Sequence, residues 1–314
     1  MLINFNITKR QFKVIFLLGV FSVFVYLSLQ VILHYQLQYE YSLLTDENRI
    51  DRVHKKNYFE DLSLSALAYY VWDIEKEEII SRHNEKEQLP LASLTKLMTS
   101  LIASEIALNE SVITINENYL EEEGDNGLIN GEKWSLSNLI DFVLISSSND
   151  GARALASIGL IFDQNDSRKT FVKKMNIKAK ELGMKHSFFL NESGLDIDEL
   201  QSGAYGSAKD VAILIEYILQ TNPRLLEASA YKQAEISSDL LLHQVNNTNE
   251  LVEKIPGVIA SKTGFTDLAG GNLAMAFDIG IGHNIIAVVL GSTKEGRFKD
   301  MEKLIWASIL ENSK

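Results

Sequence analysis

Residues of β-forming type are gathered at the two ends of the region beyond residue 61, with long helical segments between them, and few architectures accommodate that order. The first block, SALAYYVWD from Ser65 to Asp73, is followed by a polar EKEE turn and by IISR, which together read as a hairpin. The last block holds three strand-like runs, GVIASKTG, GNLAMAFDIG and NIIAVVLGS, each bounded by glycine or polar residues. In between, LASLTKLMTSLIASEIAL is a long apolar stretch with few charges, which predicts a helix buried in the interior. Further helices are predicted over Leu136 to Leu144, Arg168 to Leu182 and Ala208 to Leu219, the last closed by Asn222-Pro223. Arg297 to Leu310 has the pattern of a final amphipathic helix. The order predicts an α+β fold in which both ends share one antiparallel sheet and the middle forms a helical subdomain packed against it. An active site is then expected at the seam between them.

A chain of 314 residues that is 46% hydrophobic and 23% charged has enough apolar material for a sizeable core, which excludes wholesale disorder. The formal net charge of -12 argues against nucleic acid or anionic lipid as the main partner. It does not exclude an anionic substrate, because a few lysines inside a cleft set the local field. The absence of cysteine removes disulfides, thiol catalysis and cysteine-ligated metals. The six histidines (His34, His54, His83, His186, His243 and His283) are scattered, without H-E-x-x-H or comparable spacing, so neither a metal nor another cofactor is expected.

From Val14 to Leu33 the run VIFLLGVFSVFVYLSLQVIL is almost wholly apolar. Twenty helical residues span roughly 30 Å, the thickness of a bilayer's hydrocarbon layer. Lys9, Arg10 and Lys13 precede it, whereas Glu40, Asp46 and Glu47 follow, which orients the remainder of the chain to the extracytoplasmic side. A cleaved signal peptide is the competing reading; the length of the run and the lack of a small-residue pair in VILHYQLQYEY weigh against it. The domain plan is a cytoplasmic tail over 1–13, a membrane anchor over 14–34, a helical stalk or solvated spacer over 35–61, and a catalytic domain over 62–314.

Three short motifs follow in order: Ser93-Leu94-Thr95-Lys96, Ser147-Ser148-Asn149 and Lys262-Thr263-Gly264. Each alone is weak, and Ser229-Ala230-Tyr231-Lys232 is a second Ser-x-x-Lys in the same chain. Together they form a known signature of penicillin-binding proteins and class A β-lactamases. A serine hydroxyl needs an adjacent base to become a nucleophile. Three residues on, Lys96 shares a helix face with Ser93 and can take its proton, provided the amine is neutral. Burial in an apolar helix, and a second cation at Lys262, both push its pKa in that direction. Ser147 can relay a proton toward a leaving group and Asn149 can donate to a substrate backbone. GVIASKTG reads as a strand whose edge can accept an extended peptide while Lys262 and Thr263 face its carboxylate.

With these motifs in view, the chain from about Ala66 to Leu310 resembles the D-alanyl-D-alanine carboxypeptidase family, the low-molecular-mass penicillin-binding proteins. LPLASLTKLMT, GLINGEKWSLSNLI, SSSNDGARALA, NESGLD, NNTNELVEKIPGV and SKTGFTDLAGGNLA look like the family's blocks in its order. The resemblance implies an acylated nucleophile at Ser93, a base at Lys96 and a proton relay at Ser147, with Asn149 in the substrate cleft. It implies a substrate-binding strand carrying Lys262, Thr263 and Gly264, oxyanion N–H groups on Ser93 and Phe265, and a role for Arg297 near the substrate carboxylate. The implied substrates are peptidoglycan stem peptides ending in D-Ala-D-Ala, and the implied covalent inhibitors are β-lactams. Asp150 and Asp267 read as structural. Gly151 stands where the family often has alanine. The chain runs only 50 residues past Gly264, so the second, β-rich domain and C-terminal anchor of many members are expected to be missing, with the N-terminal helix in the anchor's place.

Carboxypeptidase and endopeptidase action attack the same D-alanyl carbonyl, and the sequence leaves both open. A β-lactamase of the class A kind needs a placed glutamate for rapid deacylation; Glu199 in DIDELQ is the superficial candidate. A non-catalytic scaffold on this fold usually shows an eroded motif, whereas all three are whole here.

Overall fold

The computed structural model describes Ser22 and residues 25–38, 57–124, 127–161, 166–280 and 282–312. Residues up to Asn57 and residues from Tyr58 to Lys314 form two separate units. In the first, residues 25–38 are helical. The expected tail over 1–13, part of the expected span over 14–34 and residues 39–56 of the expected stalk lie outside the described residues. Among the described residues, no helix is long and apolar enough to cross a membrane.

The second unit is organised by a five-stranded antiparallel sheet. Its strands are β1 (Ala68–Asp73), β2 (Glu78–His83), β3 (Val258–Thr266), β4 (Gly270–Asp278) and β5 (Asn284–Ser292), in the spatial order β3-β4-β5-β1-β2. The pairing of Ala68 with Leu290, Tyr70 with Val288 and Trp72 with Ile286 joins the two ends of the region, as the sequence order predicts. Successive strand residues point to opposite faces. On one face, Ala274, Ala276, Ile286 and Val288 pack with Leu97, Met98 and Leu101 of α1 (Thr95–Ile106). On the other, Leu273, Met275, Phe277, Ile285, Ala287 and Val289 pack with Met301, Leu304 and Ile305 of the C-terminal helix. Burial on both faces explains why these strands are continuously apolar and do not alternate.

The remaining helices are α2 (Leu136–Ser146), α3 (Asn149–Ala156), α4 (Ser167–Glu181), α5 (Ala208–Thr221) and the C-terminal α6 (Gly296–Asn312). Side chains of Ser135, Ser148, Asp166 and Ser207 accept from the backbone N–H groups that open α2 to α5, the usual way of satisfying a helix's orphan donors. The middle of the chain does not build a separate core, because α1, α2 and α5 share one apolar cluster with the sheet. The elements without a counterpart in the sequence reading include α3, the short helix Arg224–Glu227, a hairpin of Gln233–Ser237 with Leu242–Asn246, and the short strands of two further small sheets.

Candidate active site

Ser93 sits in a single 3₁₀ turn, Ala92–Leu94, which runs directly into α1. Ala92 has φ = +48°, a left-handed conformation that an L residue adopts only when its surroundings impose it. The surroundings here are backbone. Thr95 Oγ1 donates to Ala92 O at 2.7 Å, and Gly194 packs so closely that a Cβ there would lie 1.9 Å from the same oxygen. On the other side β3 approaches, and a Cβ at Gly264 would lie 2.9 Å from Leu91 O and 3.2 Å from Ser93 N. Both glycines are required by these approaches. They let the 194 loop and β3 grip the turn that presents Ser93.

Lys96 is wholly buried on α1. Its Nζ lies 2.8 Å from Ser93 Oγ, 2.7 Å from Asn149 Oδ1 and 2.8 Å from the carbonyl of Ser193. Burial lowers its pKa to about 7, against the opposing pull of Glu192 and Glu122. A lysine with its ordinary value near 10.5 would be neutral in only about one molecule in 3,000 at pH 7. The expectation that Lys262 would join burial in depressing Lys96 is reversed in emphasis. Lys262 is itself held well below the ordinary lysine value, by its own burial first and then by the charges of Lys96 and Arg297.

Ser147-Ser148-Asn149 is the junction between two helices. Ser147, at φ = +64°, ends α2 in the left-handed conformation, Ser148 caps α3 by accepting from Gly151 N at 2.9 Å, and Asn149 is the first residue of α3. The junction aims Ser147 and Asn149 at two different lysines. Lys262 Nζ donates to Ser147 Oγ at 2.7 Å, while Asn149 Oδ1 meets Lys96 and its Nδ2 donates to Glu123 O at 2.6 Å. Ser93, Lys96, Ser147, Asn149 and Lys262 are therefore brought together.

Strand β3 is an edge strand of the sheet, and Lys262, Thr263, Gly264 and Phe265 lie on it. Thr263 Oγ1 meets Thr248 Oγ1 at 2.5 Å, and the Phe265 side chain is exposed. Arg297, at the start of α6, is buried and is not a solvated charge at a helix end. Its Nη1 donates to Gly264 O at 2.7 Å, and Nε has no hydrogen-bond partner among the described residues. Burial lowers its pKa. Beside Asn149 a cleft of about 530 Å³ is lined by Glu121, Glu122, Glu123, Arg168, Asn191 and Asp196, among others.

The second Ser-x-x-Lys does not form a site. Ser229 is buried and receives Ser261 N at 3.0 Å, whereas Lys232 is exposed and pairs with Glu253. Glu199 is exposed. Asp150 is buried near the start of α3, and Gly151 is confined, since a Cβ there would lie 2.5 Å from Val143 Cγ2. Asp73, Glu75 and His283 each bring one ligand-type atom within 4.8 Å of the others, but none of them belongs to the Ser93 cluster. The site residues that sequence reasoning did not single out are the carbonyls of Ser193 and Glu123 and the hydroxyl of Thr248.

Residues 54–294 match the profile of a family described as D-alanyl-D-alanine carboxypeptidase. The D-alanyl-D-alanine carboxypeptidase DacF of Bacillus subtilis is 31% identical over 78% of this chain and 62% of its own length, so the chain spans about three-fifths of that relative. A D-alanyl-D-alanine endopeptidase of Haemophilus influenzae is 31% identical over 66% of this chain and 69% of its own length. Among solved structures, penicillin-binding protein D2 of Listeria monocytogenes in its cefotaxime-bound form is 30% identical. It superposes with a TM-score of 0.68 over 79% of this chain and 98% of that one.

Proposed function

Because this chain belongs to the D-alanyl-D-alanine carboxypeptidase family, we propose that it is a serine-type D-Ala-D-Ala carboxypeptidase that trims the terminal D-Ala from peptidoglycan stem peptides. The observation that carries the reading is a wholly buried lysine, with its pKa near 7, held 2.8 Å from Ser93 Oγ. In the neutral amine two N–H groups go to Asn149 Oδ1 and Ser193 O, which leaves the lone pair for the Ser93 hydroxyl. Ser93 Oγ attacks the carbonyl carbon of the penultimate D-Ala as Lys96 takes the hydroxyl proton. The oxyanion is received by the N–H groups of Ser93 and Phe265, donors fixed in place before the charge develops. Ser147 accepts from Lys262, so its own O–H is free to donate to the departing amine nitrogen, and it regains a proton from the Lys96 ammonium, which leaves Lys96 neutral. Free D-Ala leaves and the peptidyl ester remains on Ser93; water then hydrolyses it, with Lys96 taking a proton from the water and returning it to Ser93 Oγ as the ester bond breaks. The substrate's terminal carboxylate meets Lys262, Thr263 and Arg297, and its charge draws the Lys262 pKa back up. β-Lactams enter the same path and stop at the ester. The binding of cefotaxime by the Listeria relative supports this.

In this proposal the catalytic domain over 62–314 is held outside the cytoplasmic membrane by a single-pass anchor over 14–34, joined through 35–61 and preceded by a cytoplasmic tail over 1–13. The proposed partners are stem peptides, β-lactams and the membrane. A fluorescent penicillin is expected to label the purified protein covalently and to fail on Ser93→Ala with the fold intact. Labelling that survives in Ser93→Ala and disappears in Ser229→Ala would overturn the assignment. Incubation with a pentapeptide and with a cross-linked muropeptide decides between the carboxypeptidase and the endopeptidase, the activity named for the Haemophilus relative.

A further inference from the structure

Both acceptors that orient Lys96 are held from behind by one charged assembly. The first acceptor, the Ser193 carbonyl, belongs to a segment sewn to α1 at two points a helical turn apart: Lys96 Nζ to Ser193 O, and Thr99 Oγ1 to Glu192 O at 2.6 Å. The side chain of Glu192 is completely buried and pairs with Arg168 Nε at 2.9 Å and Arg153 Nε at 3.9 Å. The same two arginines reach Glu122, Arg168 at 3.4 Å and Arg153 at 3.9 Å. Glu122 is followed by Glu123, whose carbonyl holds Nδ2 of Asn149, and Asn149 Oδ1 is the second acceptor. Arg153 also lies one turn along α3 from Asn149. The contacts close a ring that begins and ends at Lys96 Nζ and passes through four charged side chains that no step of the mechanism uses.

We propose that Glu192, working through Arg153 and Arg168, is a positioning residue for Lys96: it fixes the two acceptors that turn the amine's lone pair toward Ser93. Two physical facts support the role. A buried carboxylate is costly unless paired, and Glu192 Oε1 has no hydrogen bond among the described residues, so the fold sustains this charge at a cost. Its charge also acts directly on the amine, since Glu192 and Glu122 raise the Lys96 pKa that burial lowers. Glu192 and Glu122 thus favour the ammonium against burial, and Arg153 and Arg168, which pair with both carboxylates, set how much of that negative charge is compensated.

The inference rests on the reading of Lys96 as the base, and the test separates the two. The rate of acylation by a fluorescent penicillin is measured against pH on the detergent-solubilised full chain. In the wild type it rises with pH through about 7 as Lys96 loses its proton. Glu192→Gln keeps the shape and removes the charge, so the rising limb moves to lower pH, by about 0.5–1 unit, and the plateau falls several-fold. Arg168→Gln leaves Glu192 less compensated, so its limb moves to higher pH by a similar amount. Glu192→Asp, which restores the charge, returns the limb toward the wild-type position. A purely structural role predicts loss of melting temperature without limb shifts of opposite sign. Ser93-dependent labelling with unmoved limbs, or with both limbs moved the same way, overturns the inference and leaves the base assignment standing. Labelling that does not depend on Ser93 overturns the base assignment itself. The Arg168 side chain is 39% exposed, so should Glu192→Gln not fold, Arg168→Gln is read against the wild type: a limb moved to higher pH supports the inference, and one unmoved or moved lower overturns it.

Discussion

At the scale of single residues, Arg297 has one observed contact and one donor left over, and the choice of substrate separates their roles. Its Nη1 holds the carbonyl of Gly264, and the unpartnered Nε leaves donor capacity for an incoming carboxylate. A charge-assisted bond to a desolvated carboxylate contributes on the order of 1.5–3 kcal/mol, or about 10- to 150-fold in binding. Arg297→Ala is therefore expected to lower kcat/KM for a D-Ala-D-Ala peptide by roughly that factor. The same peptide ending in a carboxamide, which offers no anion, should be nearly unaffected. Equal losses on both substrates would assign Arg297 to holding β3 alone. Ser93, Lys96, Ser147, Asn149 and Lys262 were legible in the sequence because their chemistry depends on side-chain type at fixed spacing. The carbonyls of Ser193 and Glu123 were not, because every residue carries a carbonyl and only the fold decides which one faces an amine. Thr248 escaped for a related reason: its hydroxyl meets Thr263 across 15 residues of chain, a separation that no local pattern records.

At the scale of elements, the segments that the sequence reading found are long enough to show a pattern, and those it missed are short. Helix α3 has eight residues, too few to display a period. The strands Gln233–Ser237 and Leu242–Asn246 are five residues each and bury one residue apiece, Ile236 and Val245, so the apolar signal is weak. What fastens that hairpin is polar. The buried carboxylate of Glu132 accepts Ile129 N at 3.0 Å and Trp134 Nε1 at 3.3 Å through one oxygen. Through the other it accepts Ser238 Oγ at 3.0 Å and is bonded to His243 Nε2 at 2.8 Å. Burial works to raise the Glu132 pKa, but these four bonds outweigh it and hold it below the ordinary 4.5. A depressed carboxylate contributes stability that is present above its unfolded pKa and lost as pH falls through the folded one. Glu132→Gln puts an amide N–H₂ against donors and should cost about 1–3 kcal/mol at pH 7. In urea unfolding, the gap between wild type and variant should narrow only below about pH 4.5. A gap that stays constant from pH 7 to pH 3 would show that the carboxylate's charge is not what fastens the hairpin.

At the scale of the whole molecule, a sheet formed from both ends of the domain followed from the order of its strands, because β1 and β5 are central neighbours and cannot pair until the helical middle has folded back. The same order brings the Ser93 turn against β3 and so assembles the proposed nucleophile and the proposed substrate strand from segments about 170 residues apart. The N-terminal run poses a different kind of question, because its physics concerns the bilayer. Val14 to Leu33 carries no charged side chain, and the proposed orientation rests on the cations before it. If the proposed anchor is right, substrate and catalytic domain meet outside the membrane, and two observations must agree. Protease added to intact spheroplasts should remove the catalytic domain and leave a fragment that contains the N-terminus in the membrane. A membrane-impermeant fluorescent penicillin should label the same cells through Ser93 before the protease is added and not after. A mature protein that begins beyond residue 30 would replace the anchor with a cleaved signal and leave the domain outside. Protection from both reagents would reverse the orientation and remove the enzyme from its proposed substrate.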